Sequence, residues 1–294
     1  MTDVPKGLAP YISLGVELSQ GTTDNWIGDC PLCSSEGKLS VEATTSKFKC
    51  WSCEAGGNAS VFVELLWKAL DDLTTDYTGW AEELQLEATT LMQWGAVWNH
   101  LISRWCMPGF NESGNVRNLY RYAAIKGGKR TFLGTSTLGQ QMYGVNLYDA
   151  KKKHVMLTEG AKDAMRLWEH LGQCRWKEEN LVRTASSGNL LADTNVIGLP
   201  GCTTFYPKWG NLLAGKQVTI MFDNDHDRPH PESGKTIESG ALQGIKRLVR
   251  ALTSSSTPPE NIHYIRWGDV QDYYRKDLPH GYDIGDNIKV PRDV

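Results

Sequence analysis

The chain has 294 residues, of which 40% are hydrophobic and 22% are charged, and this composition excludes a broadly disordered chain. At about 150 residues per domain, the length predicts about two domains. No stretch approaches the roughly 20 apolar residues of a membrane span, and the N-terminus lacks the layout of a signal peptide. We therefore expect a soluble cytoplasmic protein that contacts no membrane.

Charge is unevenly distributed along the chain. The 31 Lys and Arg against 34 Asp and Glu leave a net charge of -3, which argues against coating of the whole surface by nucleic acid. Positions 71–99 hold six acidic residues, whereas positions 104–153 hold nine basic residues and two acidic ones. The basic segment is either a polyanion-binding surface or a solvated loop.

Four of the seven cysteines form two C-x-x-C pairs, Cys30 with Cys33 and Cys50 with Cys53, separated by sixteen residues. This spacing is typical of four thiolates that bind Zn²⁺ tetrahedrally. The residues between the pairs alternate apolar and polar side chains and predict an antiparallel hairpin, so we expect a zinc ribbon. Because four sulfur ligands leave no open coordination position, the predicted zinc is structural.

The segment that follows the second cysteine pair is a glycine turn, Gly56-Gly57-Asn58, leading into an amphipathic helix at Val61–Trp67. Together with the cysteines, this order resembles the zinc-binding domain of DnaG-type and bacteriophage primases. The resemblance implies that the zinc domain helps to select the template site. Trp51 lies between the second pair of cysteines, where an exposed ring could stack on a template base.

Acidic residues follow two apolar runs in the C-terminal half. Glu159 follows the run at 154–158, and Asp223, Asp225 and Asp227 follow the run at 218–222. Since ligands bind at the carboxyl ends of strands in open α/β sheets, we expect a Mg²⁺ site made by Glu159, Asp223 and Asp225. Asp227 either joins it or caps a turn, and Asp163 lies within reach on the following helix. Taken singly, each acidic residue could also be an ordinary helix-start or turn residue.

Two motifs in this half resemble those of the TOPRIM domain. Residues 157–165 are similar to its E-G-x-x-D-A motif and residues 222–225 to its D-x-D motif, with a strand-and-glycine segment at 196–201 between them. The resemblance implies catalytic roles for Glu159, Asp163, Asp223 and Asp225. Residues 226–237 form an insertion relative to the family, and the late acidic residue of the family is either Asp277 or Asp283.

Residues 115–121, 127–134 and 142–146 resemble the basic subdomain that precedes TOPRIM in phage primases. The resemblance implies that its cations bind triphosphates and the template backbone. These predicted nucleotide- and template-binding residues are Arg117, Arg121, Lys126, Lys129 and Arg130. Gly234-Lys235-Thr236 suggests a P-loop, but Pro229 stands where that motif needs glycine, which excludes a helicase motor of this type. Trp67, Trp94, Trp98 and Trp168 have helical spacing, and we expect them in the core.

The predicted fold class is α/β, with a small antiparallel zinc ribbon and a mostly parallel, Rossmann-like TOPRIM sheet. We expect a zinc-binding domain at 1–68, an acidic helical connector at 69–99, a basic subdomain at 100–153 and a TOPRIM subdomain with a C-terminal extension at 154–294. The predicted function is that of a DNA primase, a nucleotidyltransferase using Mg²⁺ or Mn²⁺, nucleoside triphosphates and a single-stranded DNA template, with a separate helicase as partner. A TOPRIM nuclease and a DNA-binding replication accessory are the alternatives.

Overall fold

The computed structural model describes residues 4–124, 130–173, 190–229, 236–267 and 278–283. The chain forms two compact units that divide between Gln141 and Met142. Within the described ranges, no helix is both long and apolar enough to cross a bilayer.

A five-stranded antiparallel sheet forms the N-terminal part of the first unit, with its strands side by side in chain order. Its strands are β1 (Ser19–Gln20), β2 (Asn25–Gly28), β3 (Leu39–Glu42), β4 (Lys47–Cys50) and β5 (Gly56–Asn58). The strands β3 and β4 are the predicted hairpin, and their alternating pattern buries Leu39 and Val41 on one face. Helix α1 (Ala9–Ser13) precedes this sheet.

Helix α2 (Ala59–Asp71) begins where the sequence predicts it, directly after the glycine turn. The Asn58 side chain caps it by accepting the backbone N–H of Val61 over 3.1 Å, which satisfies one of the free donors of the first turn. Phe62 on its buried face packs against Tyr11 and Phe48 with ring centroids 4.7 and 5.2 Å away. This aromatic cluster is the core that joins α1, β4 and α2.

A second antiparallel sheet completes the first unit. It follows the short helices α3 (Thr78–Leu84) and α4 (Ala88–Gln93), and its strands are β6 (Val97–Asn99), β7 (Arg104–Phe110), β8 (Val116–Ala124) and β9 (Arg130–Leu133), again in chain order. Helix α2 packs on β8. Trp67 of that helix donates its indole N–H to the carbonyl oxygen of Gly95 over 2.8 Å. The zinc-ribbon helix and the basic sheet therefore share one core.

The second unit is built on a four-stranded parallel sheet whose strands lie in the order β11, β10, β12, β15. These strands are β10 (His154–Glu159), β11 (Thr194–Leu199), β12 (Gln217–Met221) and β15 (Asn261–Tyr264). All six residues of β11 are buried, as expected for a parallel strand covered on its faces. The chain leaves β10 toward β11 on one side and reaches β12 on the other, so the strand order reverses between β10 and β12.

Helices and short elements complete this unit. They are α5 (Ala161–Gln173), α6 (Gly240–Thr253), the antiparallel pair β13 (Arg228–Pro229) and β14 (Thr236–Ile237), and 3-10 turns at Val145–Leu147, Leu190–Ala192 and Pro207–Leu212. The β13–β14 pair occupies part of the predicted insertion, and residues 230–235, with the Gly-Lys of the excluded P-loop, lie outside the described ranges. The predicted class, an α/β fold with a small antiparallel cysteine-bearing sheet and a parallel sheet, is confirmed.

Candidate functional site

The four cysteines of the two C-x-x-C pairs converge on one point. The sulfur atoms of these four residues all lie within 4.8 Å of one another; they belong to Cys30, Cys33, Cys50 and Cys53. The Cys33 and Cys50 sulfurs are 3.7 Å apart, close to the edge of about 3.8 Å of a tetrahedron with zinc–sulfur bonds of about 2.3 Å. None of the four is in a disulfide, so all are available as thiolate ligands.

Local backbone geometry aims these sulfurs. The residue after each pair, Ser34 and Glu54, has a positive φ of 58° and 62°, which turns the chain sharply away from the second cysteine. The backbone N–H groups of Ser52 and Cys53 both donate to the Cys50 sulfur over 3.4 Å, a contact that favours its thiolate form. The donor set and its geometry fit a structural zinc ion.

Trp51 occupies the turn between Cys50 and Cys53 with 71% of its surface exposed. Its ring has no part in the aromatic core of this sheet. The ring of Trp51 is therefore exposed, as stacking on a template base would require. Its role in binding stays a prediction.

The predicted cationic residues of the first unit are held in different ways. Arg117 pairs with Glu64 of α2, and Arg121 donates to the carbonyl oxygen of Ser13 over 3.0 Å, so both guanidinium groups bind other parts of the unit. The Arg130 guanidinium pairs with Glu83 of α3 over 2.5 Å and lies 5.9 Å from the centroid of the Tyr122 ring, and the Arg130 side chain is 53% exposed. Lys126 and Lys129 lie outside the described residues.

A groove of about 270 Å³ lies beside Arg130. Its lining includes three aromatic rings and three charged side chains, which are Trp98, Trp105, Tyr122, Arg104, Arg130 and Glu83. Trp98 is 38% exposed, so its expected place in the core is wrong. The reason is that Trp98 lies on the edge strand β6 and not on a helix, and alternation along that strand buries its two neighbours and exposes the indole.

An acidic cluster lies at the carboxyl ends of β10 and β12, where the strand order reverses. Glu159 is the last residue of β10, and Asp223 lies two residues beyond the end of β12. Gly160 leaves β10 with a φ of +96°, a conformation that favours glycine and allows α5 to begin at the next residue. Asp163 on the first turn of that helix is buried.

Burial, and then repulsion among the carboxylates, raise pKa values in this cluster. Burial, and then the charges of Glu159, Asp163 and Asp283, raise the pKa of Asp223 to about 8. Burial and the neighbouring Asp283 also raise the pKa of Asp163, while Arg166, with Nη1 4.0 Å from Asp163 Oδ1, opposes the shift. Apart from the buried Asp163, these carboxylates are partly buried, and among the described residues no three of their ligand atoms lie within 4.8 Å of one another. Their chemistry, a group of carboxylate oxygens that repel one another, is of the kind that a divalent cation such as Mg²⁺ neutralises.

The other two acidic residues after β12 make different contacts. Asp225 Oδ2 accepts the backbone N–H of Ala241 at the start of α6 over 3.2 Å, yet its charge still acts on Asp223. Asp227 accepts the backbone N–H of Ser239 over 2.8 Å, which is the turn-capping alternative for this residue. Asp225 therefore lies at the rim of the cluster.

Three residues of this site were missed or left open by the sequence interpretation. Asp283 is close enough to raise the pKa of both Asp163 and Asp223, whereas Asp277 lies outside the described residues. The thiol of Cys202 hydrogen-bonds to Glu159, and burial followed by the charge of Glu159 raises its pKa to about 12. His280 has its Nε2 3.8 Å from Asp225 Oδ1. Only the acidic residue could have been suggested by a sequence pattern.

The fold and sites together define a zinc-ribbon protein with a TOPRIM-like α/β unit. Neither a protein-family model nor a curated protein matches the chain. Solved structures do match, and several of them are primase domains, among them the DnaG catalytic core. One is the Aquifex aeolicus primase with its zinc-binding and RNA polymerase domains, at 15% identity and a TM-score of 0.48, covering 96% of this chain and 79% of that chain.

Two further matches have the same character. The primase fragment of the bacteriophage T7 primase-helicase is 13% identical with a TM-score of 0.40, covering 82% of this chain and 89% of that one. The E. coli primase catalytic core is 12% identical with a TM-score of 0.46, covering 77% and 74%. All three matches are distant, with identities of 12 to 15% and TM-scores of 0.40 to 0.48.

Proposed function

We propose that this protein is a DNA primase, which synthesises short RNA primers on single-stranded DNA by metal-dependent nucleotidyl transfer. The observation that carries the proposal is the cluster of Glu159, Asp163, Asp223 and Asp283 at the strand-order reversal of the parallel sheet. The same chain also carries four converging cysteines. A zinc ribbon and a TOPRIM-like acidic site in one chain are the combination that the primase motifs of the sequence imply.

The acidic residues divide the chemistry between them. Glu159, Asp223 and Asp283, with Asp225 at the rim, would hold Mg²⁺ or Mn²⁺. When bound, the cation would stabilise negative charge on the attacking and leaving oxygens of phosphoryl transfer. Glu159 either completes the ligand set or accepts the proton of the attacking 3′-hydroxyl. Asp163, buried on the first turn of α5 with Arg166 Nη1 4.0 Å from its Oδ1, would set the electrostatic balance of the cluster.

The template and the triphosphates need surfaces of another kind. We propose that bases of the single strand stack in the groove of Trp98, Trp105 and Tyr122, and that Arg104 and Arg130 on its rim bind phosphates. Trp51 supplies a second exposed ring on the zinc ribbon. A separate helicase remains part of the proposal as the partner that would bring the enzyme to single-stranded DNA.

The experiment that tests this function is primer synthesis by the purified protein on a mixed-sequence single-stranded DNA library. Labelled nucleoside triphosphates and Mg²⁺ or Mn²⁺ are supplied, and products are resolved by length. We expect short labelled oligonucleotides from the wild-type protein and none from Asp223→Asn or Glu159→Gln. Asp193→Asn is the matched control, because this exposed aspartate lies just before β11, at the other end of the sheet.

The same assay distinguishes the alternative functions. Shortened template without new product would indicate a nuclease that uses the same carboxylates. Binding of the DNA without either reaction would leave a replication accessory. Active Asp223→Asn protein would contradict the proposed site itself.

A further inference from the structure

A second groove, of about 470 Å³, adjoins the groove beside Arg130 and shares Glu83, Trp98 and Trp105 with it. The rest of its lining comes from the loop after α2 and from α3, and includes Leu73 and Asp76. None of the residues that the structure describes along this groove is basic. We call it the acidic groove, because its charge is opposite to that of the arginines on the neighbouring rim.

Stacked rings hold the aromatic part of the acidic groove in place. The Trp105 ring stacks on Trp80 with centroids 4.8 Å apart and on Tyr77 with centroids 5.5 Å apart. The Trp98 ring meets Trp105 in a T-shaped arrangement at 5.5 Å. The backbone N–H of Trp98 donates to Thr74 Oγ1 over 3.0 Å, which ties β6 to the loop after α2. Trp98 is therefore fixed in position, although it is 38% exposed.

Negative charge surrounds these rings. All six acidic residues of positions 71–99 are exposed, and this stretch contains no Lys or Arg. Asp76 Oδ1 accepts the backbone N–H of Thr78 over 2.9 Å, which lowers the pKa of Asp76 and keeps its carboxylate charged at neutral pH. Glu83 already attracts one cation, the guanidinium of Arg130 on β9.

We propose that the acidic groove binds a basic segment of a partner protein, with a Lys or Arg side chain against the Trp98 ring. The indole is the aromatic ring that attracts cations best. The carboxylates of Asp76 and Glu83 would add a charge attraction that the ring alone does not supply. Leu73, which is 66% exposed, offers apolar surface to the methylene groups of such a side chain.

The chain contains an internal example of this recognition. Arg130 pairs with Glu83 while its guanidinium lies 5.9 Å from the centroid of the Tyr122 ring. One of its own cations thus already combines a carboxylate of α3 with an aromatic ring of the second sheet. A cation of the partner would make the same two kinds of contact at Asp76 and Trp98.

Charge separates this ligand from the one proposed for the neighbouring groove. A carboxylate such as Asp76 repels the phosphates of DNA, whereas Arg104 and Arg130 attract them. Because Trp98 and Trp105 line both grooves, a basic peptide and single-stranded DNA should compete for them. The peptide site does not depend on primer synthesis, so it can hold even if the proposed function fails.

The probe is a fluorescein-labelled peptide of sequence Gly-Arg-Leu-Arg-Gly, titrated with the full-length protein and followed by fluorescence anisotropy. A matched peptide carries citrulline in place of both arginines, which nearly keeps their size but removes their charge. We expect the citrulline peptide to bind about tenfold more weakly. Unlabelled arginine peptide should also displace a labelled oligothymidylate from the protein.

Variants locate the peptide on the acidic groove. Trp98→Leu keeps an apolar side chain without a π face and should weaken binding of the arginine peptide by about 3- to 10-fold. Asp76→Asn should weaken it by about threefold, and its amide oxygen can still accept the Thr78 N–H at the start of α3. Asp72→Asn is the matched control, because this exposed aspartate does not line the groove.

Binding of oligothymidylate by the same variants separates the two ligands. Asp76→Asn should leave the affinity for DNA unchanged or raise it, because a negative charge is removed. Arg130→Gln should weaken DNA binding, yet strengthen peptide binding by about twofold, because Glu83 loses its internal partner. Opposite effects of one substitution on the two ligands are not expected from a general loss of structure.

Several results would overturn the proposal. They are equal or undetectable binding of the arginine and citrulline peptides, or wild-type peptide affinity in Asp76→Asn. Weaker DNA binding by Asp76→Asn with unchanged peptide binding would assign the groove to nucleic acid instead. A protein dimer that Asp76→Asn dissociates in sedimentation would assign it to a second copy of the chain. If circular dichroism shows that Trp98→Leu is unfolded, the comparison of Asp76→Asn with Asp72→Asn decides.

Discussion

The backbone N–H of Asn224 donates to the carbonyl oxygen of Tyr282 over 2.8 Å, although the two residues are 58 positions apart in the sequence. This contact joins the loop after β12 to the segment that carries Asp283. The Asn224 side chain is 9% exposed and donates to the carbonyl oxygens of Leu278 and Pro279. Asn224 therefore brings the last carboxylate of the cluster beside Asp223.

Replacing Asn224 with aspartate should break the contacts between the loop after β12 and the segment 278–283. The substituted carboxylate would face two carbonyl oxygens without a proton to donate, at a cost of about 1 to 3 kcal/mol. We expect a lower melting temperature and a higher half-saturating Mg²⁺ concentration in primer synthesis. Asn261→Asp, at an exposed position at the start of β15, is the control. Equal effects of the two substitutions would contradict a specific role for Asn224.

Stability should fall with rising pH because of Asp223. Its pKa is raised from 3.8 to about 8 in the folded protein, so the folded state retains a proton that the unfolded chain has released. The stabilising contribution is complete below about pH 4 and is lost as the pH rises toward about 8. Without added divalent cations, Asp223→Asn should melt about 5 °C higher than wild type at pH 8.

The dependence on pH and on Mg²⁺ provides the check on this assignment. The advantage of Asp223→Asn should shrink toward pH 5, and Mg²⁺ should raise the melting temperature of wild type at pH 8 but not that of the variant. Asp193→Asn should follow the wild-type curve. A melting temperature of Asp223→Asn that lies below wild type at every pH would show that burial and the neighbouring carboxylates do not raise the pKa of Asp223.

Local patterns explain why much of this molecule could be predicted from its sequence. The hairpin before Cys50, the helix after Asn58 and the strands that end near Glu159 and Asp223 follow from residue spacing and turn chemistry, and the structure contains each of them. Spacing also brought the four cysteines together correctly, because two short turns suffice to aim the sulfurs.

Features set by distant parts of the chain could not be predicted in this way. The nearness of Asp283 to Asp223 depends on backbone pairing across 58 residues at Asn224 and Tyr282. The alternation of side chains along a strand could not predict where the Asp225 side chain points, because the chain has already left β12 at this residue. The backbone N–H of Asp225 instead donates to the carbonyl oxygen of Asp223 over 2.9 Å. The exposure of Trp98 depends on its place in an edge strand, whereas its sequence spacing indicated a helix.

Zinc content should depend on the cysteines and not on the exposed ring between them. Cys50→Ser should purify with far less than the one zinc per chain expected of a four-thiolate site, because a neutral hydroxyl replaces a thiolate. Trp51→Ala alters the same turn without removing a ligand and should keep its zinc. Elemental analysis of the purified proteins measures both, and full zinc occupancy in Cys50→Ser would contradict the assigned ligand set.

Close packing of α6 beside the acidic cluster should make Gly244 intolerant of a side chain. A Cβ at this position would lie 2.3 Å from the carbonyl oxygen of Cys202, whose thiol contacts Glu159. Gly244→Ala must displace helix or backbone, and we expect a loss of about 1 to 3 kcal/mol in unfolding free energy. Lower primer synthesis should accompany this loss.

A matched glycine on the other helix tests whether this effect is steric. In Gly172→Ala, the new Cβ would meet only Leu191 Cδ2, at an ordinary 3.4 Å, so helix propensity should dominate and raise stability by up to about 1 kcal/mol. Thermal unfolding of both variants gives the comparison. If both substitutions changed the unfolding free energy in the same direction, the contact with the Cys202 carbonyl oxygen would not be what makes Gly244 of α6 intolerant of a side chain.

Binding of single-stranded DNA should depend on both the rings and the cations of the groove beside Arg130. Trp98→Ala should weaken binding of an oligothymidylate by about 1 to 3 kcal/mol at any salt concentration, because a stacking surface is lost, and Trp98→Phe should recover part of it. Arg130→Gln should instead reduce the slope of log affinity against log salt by about one. Fluorescence anisotropy of labelled DNA at several salt concentrations measures both quantities, with Met92→Ala, another exposed apolar position of the first unit, as control. If Trp98→Ala changed only the salt slope, or Arg130→Gln left it unchanged, stacking and phosphate binding would not be divided between these residues as proposed.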